Sequence, residues 1–180
     1  TIKPEILEKV RKAGIRWICL GIESGNENIR NSVSKGRFTN RNILNLVSSM
    51  KDNGISVLGN YIFGFPEDTL WDTFYLAEKL NCEYSKFYTM MAYPGTEIEI
   101  IAKNNGWELP KTWSGYSQYS KDCTPVRTKY LTSKQVLDFR DKSFINYHTS
   151  RKYLEMIKDK FGLNTVNEIV DLCLKKIIRQ

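Results

Sequence analysis

A carboxylate and a hydroxyl lie between two glycines at the end of an apolar segment near the start of the chain. The segment reads Gly21-Ile22-Glu23-Ser24-Gly25 and continues an apolar run over residues 16–22. A glutamate is rarely buried unless it is paired, and glycine lets the backbone come close to a ligand. Glu23 and Ser24 are therefore candidate ligand-binding residues. The alternative is a serine that caps a helix beside a glutamate on the surface.

Two later turns place further polar or small residues at the ends of apolar segments. Asn60, Ile62 and Gly64 lie where a second apolar segment ends, and Tyr93 lies where a third one ends. Taken alone, each is an ordinary turn between a strand and a helix. Parallel α/β sheets, however, bind ligands at the carboxyl ends of their strands. We therefore expect the three turns to converge on one groove.

The elements that must position these turns alternate between strands and helices. Near-continuous apolar runs, which are typical of strands buried in a parallel sheet, occur at residues 16–22, 55–63 and 85–92. Helical spacing and capping residues predict helices at residues 4–13, 26–34, after Thr39, after Thr69 and at 95–104. This alternation predicts an α/β fold with three parallel β/α units.

The composition changes after Trp107. Residues 108–130 are rich in Tyr, Ser, Thr, Lys and Pro and predict an irregular segment. Helices are then expected at residues 133–148, 150–160 and 165–178, the last with Thr165 and Glu168 as a capping box. We interpret the chain as two parts, residues 1–107 with the sheet and residues 108–180 as a largely helical C-terminal extension.

The net charge of +7 comes entirely from residues 111–180, which hold 14 Lys and Arg against 7 Asp and Glu. Scattered basic residues favour solvated helix faces, with nucleic acid as an alternative partner. No apolar run is long enough for a membrane helix, and isolated cysteines are typical of buried thiols in a cytoplasmic protein. The single histidine, His148, is expected at the surface or at a helix cap.

The ordered series of turns resembles the later strands of radical S-adenosylmethionine (SAM) enzymes. It is most similar to the group that carries an N-terminal cobalamin-binding domain. The residues that carry the resemblance are Gly21 to Gly25, Lys35-Gly36 with Thr39, Gly64 to Thr69, and Tyr93 to Thr96. The segments 113–117 and 137–141 also resemble the tail that follows the barrel in that group. The resemblance implies a partial (β/α) TIM-like barrel with a helical C-terminal extension.

The resemblance also implies roles for individual residues in binding SAM. Glu23, next to Ser24, matches the polar residue that holds the SAM ribose, and Lys35 matches a basic residue that meets the SAM carboxylate. Lys35 is equally well explained as a solvated lysine at a helix end. Ile62 and Gly64 match the second-strand pattern that flanks the adenine. Asn60 departs from that pattern, which often starts with glycine, but other branches of the family carry a ribose-binding polar residue there, so a contact from Asn60 to a ribose hydroxyl is expected. Tyr93 is expected to face the cavity near the substrate.

One feature of the family is missing from this sequence. The family binds a [4Fe–4S] cluster through three cysteines separated by three and then two residues, whereas Cys19, Cys82, Cys123 and Cys173 lie far apart. Cluster ligands are thiolates placed close together. We therefore expect no catalytic or metal-binding residue here, and we expect the cluster and any cobalamin site in an upstream half of the same barrel. On this interpretation the isolated chain does not cleave SAM.

Three interpretations of the function follow. The first is a SAM-binding fragment of a radical SAM oxidoreductase or methyltransferase-like enzyme acting on an unknown small molecule. The second is an RNA-binding or tRNA-modifying module that uses the basic, tyrosine-rich tail with Tyr116, Tyr119 and Tyr130. The third is a complete small α/β domain, which would have polar strands at the edges of its sheet.

Overall fold

A computed structural model describes residues 4–33, 37–175 and 179 as helices, strands and connecting segments. Within these ranges no helix combines the length and the apolar character needed to cross a lipid bilayer. In chain order the elements are α1 (Pro4–Lys12), β1 (Trp17–Glu23), α2 (Glu27–Val33), α3 (Asn40–Asp52), β2 (Ser56–Phe63), α4 (Trp71–Leu80), β3 (Tyr84–Thr89), α5 (Glu97–Asn104), a 3₁₀ helix (Ser114–Tyr116), α6 (Ser133–His148), α7 (Arg151–Phe161) and α8 (Leu163–Leu174).

The three strands form one open parallel sheet in the order β1-β2-β3. Gly21 of β1 pairs with Asn60 of β2, and Asn60 in turn pairs with Lys86 of β3. Parallel neighbours require crossover connections, which α3 and α4 provide. The predicted α/β class is therefore confirmed, with the open sheet of a partial TIM-like barrel and a helical C-terminal part.

An aromatic core covers the outer face of the sheet. Tyr61 and Phe63 alternate along β2 and have no exposed surface, and Phe87 of β3 stacks on both at centroid distances of 5.3 and 5.5 Å. Phe139 of α6 packs edge-on against Phe63 at 5.1 Å. Because side chains alternate between the two faces of a strand, this packing turns the intervening residues to the opposite, inner face.

The inner face is only half covered, and β1 is exposed at one edge. Asn60 and Ile62 of β2 are half-buried, while Trp17 of β1 remains 46% exposed and Cys19 is exposed. Within the described ranges β1 pairs only with β2, so its other edge is free. A complete small domain would present polar residues at this edge. The exposed Trp17 argues against that third interpretation.

The C-terminal helices bond to the segment that precedes β3. Tyr147 donates a hydrogen bond to the carbonyl oxygen of Cys82 at 2.7 Å, and Tyr153 donates one to that of Glu83 at 3.1 Å. The buried Glu83 carboxylate accepts hydrogen bonds from the Val57 amide at 2.8 Å and from Lys160 at 2.7 Å. Sheet and extension therefore share polar contacts in a buried region. The division into residues 1–107 and 108–180 stays a prediction.

Two helix starts differ from those predicted. Helix α4 begins at Trp71 without a side-chain cap, so Thr69 does not start a capping box; instead the Asp68 carboxylate accepts the Leu70 amide at 2.8 Å. Helix α8 begins at Leu163 directly after Gly162, and the Thr165 hydroxyl bonds back to the carbonyl of Phe161. In both cases a turn outside the predicted capping box sets the first residue of the helix. The spacing between capping residues does not reveal such a turn.

His148 is the last residue of α6, at the helix end where we expected it, but it is buried among aromatic rings and does not lie at the surface. It is 1% exposed and lies 4.4 Å from the Phe144 ring and 5.0 Å from the Tyr153 ring. Its Nδ1 lies 2.9 Å from the Phe144 carbonyl oxygen, and the buried Nε2 has no partner among the described residues. This environment favours a neutral imidazole that donates through Nδ1. Burial lowers the pKa of His148 to about 4.

The buried histidine predicts acid destabilisation. The unfolded chain binds a proton at a pKa of about 6.5, whereas the folded chain binds it only at about 4. The free energy of unfolding should therefore fall as the pH drops from 6.5 to 4, by a total of about 3 kcal/mol from this group. Urea unfolding at several pH values checks this. His148→Phe should flatten the profile in that window, and equal slopes in both proteins would contradict the prediction.

Candidate ligand-binding site

The backbone at Glu23 is held in an unusual conformation. Its φ angle is 63°, and the Ser24 amide donates to the Ile22 carbonyl oxygen at 2.8 Å, which closes a γ-turn around Glu23. The pairing with β2 shifts register between Gly21 and Glu23. A non-glycine residue with positive φ costs free energy and persists only where the surroundings hold it in place. Such strain is common at binding sites.

The γ-turn brings the Glu23 carboxylate back over the strand that precedes it. A Cβ atom on Gly21 would lie 2.5 Å from Oε1 of Glu23, so the carboxylate occupies the space that a side chain at position 21 would fill. Gly21 pairs with Asn60. No hydrogen bond reaches the carboxylate from the described residues, and burial raises the pKa of Glu23. A partly desolvated carboxylate of this kind favours a hydrogen-bond donor supplied by a ligand.

Asn60 offers the neighbouring polar group. Its side-chain nitrogen lies 2.9 Å from the sulfur of Cys19, which places both residues on the inner face. Its side-chain oxygen is buried and has no partner in the described part of the chain. An unsatisfied buried oxygen is costly and calls for a donor. Ile62 lies two residues further along the same face and is half-buried.

Gly64 ends β2 in a turn that the structure explains without a ligand. It has a φ angle of 93°, and its amide donates to the Asp68 carboxylate at 3.1 Å. A Cβ atom here would lie 2.8 Å from Val136 of α6. Burial raises the pKa of Asp68, although the amides of Leu70 and Gly64 oppose the shift. Glycine is needed at this position for the turn and for its close contact with α6.

Ser24 is buried in the loop that follows β1, and its hydroxyl already has hydrogen-bond partners within the protein. Its oxygen lies 3.3 Å from the Thr73 hydroxyl and accepts the Asn26 amide at 3.1 Å. Gly25 packs so tightly against α4 that a Cβ atom at this position would lie 2.0 Å from the Asp72 carbonyl oxygen. These contacts fix the loop against α4. The assignment of Ser24 to a ligand stays a prediction.

Arg30 secures this loop from the other side. Its side chain is 2% exposed, and it donates to the Ser24 carbonyl oxygen at 2.7 Å, to the Asn40 side chain at 2.8 Å and to the Phe38 carbonyl oxygen. The guanidinium therefore ties the residue after Glu23 to the start of α3. We had not identified Arg30 from the sequence, because a lone arginine in a short helix has no distinctive pattern.

The two remaining predicted site residues are Lys35 and Tyr93. Lys35 lies outside the described residues. Tyr93 lies in the loop after β3, remains 48% exposed and stacks on Tyr116 at 5.8 Å. The structure therefore brings Glu23, Asn60 and Ile62 together on the inner face of the sheet. Gly64 directly follows β2, the strand that carries Asn60 and Ile62.

The four cysteines do not form a cluster-binding set. Cys82, Cys123 and Cys173 are buried and Cys19 is exposed, and all four are free thiols. Among the described residues no group of three or more His, Cys, Asp or Glu side chains could hold a metal ion. The residues described here do not fit such a cluster.

The tyrosines of the tail do not form one stack. Tyr119 is 64% exposed and lies 5.4 Å from the guanidinium of Arg140, whereas Tyr130 is 59% exposed and lies beside Lys129. Tyr116 instead joins Tyr93. Sequence-tolerant RNA binding uses bases stacked on successive aromatics, and the separate positions of these rings do not supply such a row. The RNA-binding alternative stays a prediction.

Comparison of the sequence with known proteins gives a family match over part of the chain. Residues 1–80 match the family model described as the radical SAM superfamily. An uncharacterized methyltransferase of Pyrococcus horikoshii is 30% identical over 165 residues, which cover 89% of this chain and 34% of that protein. A protein of Methanocaldococcus jannaschii that is named as a methylthiotransferase is 32% identical over 102 residues, 55% of this chain and 22% of that protein.

A third relative carries a more specific name. The bacteriochlorophyllide d C-12(1)-methyltransferase of Chlorobaculum tepidum is 30% identical over 118 residues, which cover 62% of this chain and 26% of that protein. In each case the chain spans about a third or less of the relative's length. The names of all three relatives refer to transfer of a methyl or methylthio group.

Proposed function

The chain belongs to the radical SAM superfamily, and from that premise we propose that it supplies one side of the SAM-binding groove of a methyltransferase-like enzyme. The observation that carries the proposal is a pair of acceptors on the inner face to which no side chain or amide of the described residues donates. The Glu23 carboxylate lies over Gly21, and the Asn60 side-chain oxygen lies on the strand paired with Gly21.

These two groups fit the ribose of SAM. A ribose presents adjacent hydroxyls, and both the carboxylate of Glu23 and the amide oxygen of Asn60 accept hydrogen bonds. The half-buried Ile62 offers an apolar surface beside them on which the adenine can pack. SAM itself supplies the reactive adenosyl or methyl chemistry, whereas the residues of this chain bind and orient it and exclude water.

The exposed edge of β1 supports the proposal that a further strand completes the sheet. An apolar edge with Trp17 46% exposed is a liability unless another strand or element covers it. We infer that the upstream half of the same barrel pairs with β1 and provides the cluster site, and cobalamin remains a prediction from the resemblance.

Amides of β1 should exchange with solvent more slowly when the protein carries that upstream half than in residues 1–180 alone, because pairing protects backbone amides. Equal exchange rates would contradict the pairing.

The proposed site is tested by replacing the carboxylate while keeping its shape. Glu23→Gln removes a charge-assisted hydrogen bond, which costs about 1.5–3 kcal/mol. The dissociation constant for SAM, measured by isothermal titration calorimetry, should therefore rise about 10- to 150-fold. Because burial raises the pKa of Glu23, the affinity of the unchanged protein should also fall toward acidic pH as the carboxylate becomes protonated.

The matched control is a carboxylate that lies outside the groove. Glu97 is exposed in the first turn of α5, and Glu97→Gln should leave the affinity for SAM unchanged. If Glu23→Gln binds SAM as tightly as the unchanged protein, Glu23 is not part of the site. Equal losses in both variants would indicate a general effect of charge and would also count against the proposal.

A further inference from the structure

Three aromatic rings form an incomplete stack beyond the end of β3. Tyr93 and Tyr116 lie 5.8 Å apart with 22° between their planes, and Trp113 lies 5.9 Å from Tyr116 at 42°. We call Tyr93, Tyr116 and Trp113 the aromatic platform. Trp113 is 80% exposed. A tryptophan left this open has most of its apolar surface in water, whereas its burial would be favourable.

The exposed tryptophan is held by its neighbours. The hydroxyls of Thr112 and Ser114, on either side of Trp113, donate to the Asp122 carboxylate at 2.7 and 2.6 Å. Ser120 adds a third hydroxyl, and these bonds hold the pKa of Asp122 well below its usual range. These hydrogen bonds therefore fix the turn that carries Trp113. A pre-positioned ring loses little freedom when a ligand stacks on it.

The base of the platform is also fixed. Tyr116 packs against the buried residues Met91, Cys123 and Leu137, so one side of its ring rests on the protein. Gly115, between Trp113 and Tyr116, lies so close to Pro110 that a Cβ atom would be 2.9 Å from it. The rings thus stand on a packed layer that limits their movement.

The platform lies at the same end of the sheet as the proposed SAM groove. Gln118, two residues after Tyr116, pairs its side-chain amide with the main chain of Thr89 at 2.9 and 3.0 Å. Thr89 is the last residue of β3, and Glu23 is the last residue of β1. In parallel sheets these carboxyl ends meet at one edge, which is where substrates bind.

From these contacts we infer that the aromatic platform binds a planar conjugated ring system of the substrate by stacking. That this ring belongs to the substrate rests on the proposed function. Aromatic faces prefer offset stacking or tilted contacts with other rings. The three rings of the platform lie together in one place, whereas a nucleic-acid strand stacks its bases on a row of successive aromatics, which favours one compact ring compound over nucleic acid.

The test uses riboflavin, a neutral compound with three fused rings whose fluorescence is quenched when it stacks on tryptophan. Trp113→Ala should weaken riboflavin binding roughly 5- to 150-fold, a range set by the usual contribution of stacking on one ring. Trp113→Phe should restore most of the affinity. Tyr130→Ala removes another exposed ring, which is not part of the platform, and should leave the affinity unchanged.

Parallel SAM titrations separate this inference from the proposed function. Trp113→Ala should keep its affinity for SAM, and Glu23→Gln should keep its affinity for riboflavin. No binding of riboflavin by the unchanged protein, or equal binding by Trp113→Ala, would overturn the inference. Tighter, Trp113-dependent binding of a single-stranded RNA oligonucleotide would overturn it in favour of the RNA-binding alternative.

Discussion

Replacing Arg30 with methionine should destabilise the protein by about 3–5 kcal/mol, because the buried guanidinium is the donor for one buried and two part-buried acceptors. Without it, the buried Ser24 carbonyl oxygen would lose its partner, and so would the part-buried Phe38 carbonyl oxygen and Asn40 side chain. Each unsatisfied acceptor costs about 1–3 kcal/mol. Urea denaturation followed by circular dichroism measures the loss as a lower midpoint at constant slope.

Arg41 provides a matched control for this experiment. It is exposed on α3, and Arg41→Met should change the free energy of unfolding by less than about 0.5 kcal/mol. The contrast therefore separates the loss of buried hydrogen bonds from the loss of one positive charge. A loss below about 1 kcal/mol in Arg30→Met would show that the loop is held by other contacts.

Gly25→Ala should cost about 3 kcal/mol or more, because the added methyl group meets backbone that cannot rotate away. The new Cβ would lie 2.0 Å from the Asp72 carbonyl oxygen and 2.7 Å from the Thr73 nitrogen, so α4 would have to move. The displacement also breaks the bond of the Gly25 amide to the Thr73 hydroxyl at 3.0 Å. Thermal unfolding by calorimetry should show a large fall in the midpoint.

Gly21→Ala is the informative partner of Gly25→Ala. Its Cβ would meet only the far end of the Glu23 side chain, which can swing away. We expect a stability change below about 1 kcal/mol, together with a loss of SAM affinity similar to that of Glu23→Gln. Gly21 would then be needed for SAM binding, whereas Gly25 would be needed for folding. Similar unfolding midpoints for both variants would contradict this division.

The strands and most helices could be predicted because their signals are local. The apolar runs predicted β1 and β2 to within one residue at each end, and Thr39 caps α3 in the capping box that the structure shows with Asn42. The start of α4 was missed because it depends on Asp68, which also bonds to the Gly64 amide. Such a contact between two turns has no fixed spacing in a sequence.

The candidate site was predictable in part for the same reason. Glu23 and Asn60 stand out as polar residues at the ends of apolar strands, and parallel pairing brings them together. The role of Gly21 was not foreseen, since it depends on a γ-turn that folds the Glu23 carboxylate backwards. The burial of His148 was also missed, because several aromatic rings from separate elements enclose it.

The buried carboxylate of Glu83 has a consequence for attempts to shorten the protein. It joins the Val57 amide at the start of β2 to Lys160 near the end of α7. A truncation before α7 would remove both Lys160 and the bond from Tyr153 to the Glu83 carbonyl oxygen, so the segment before β3 would lose two of its polar contacts. Limited proteolysis within α7 should therefore loosen the strands as well, and the last helices must be kept in any shortened version intended for crystallisation.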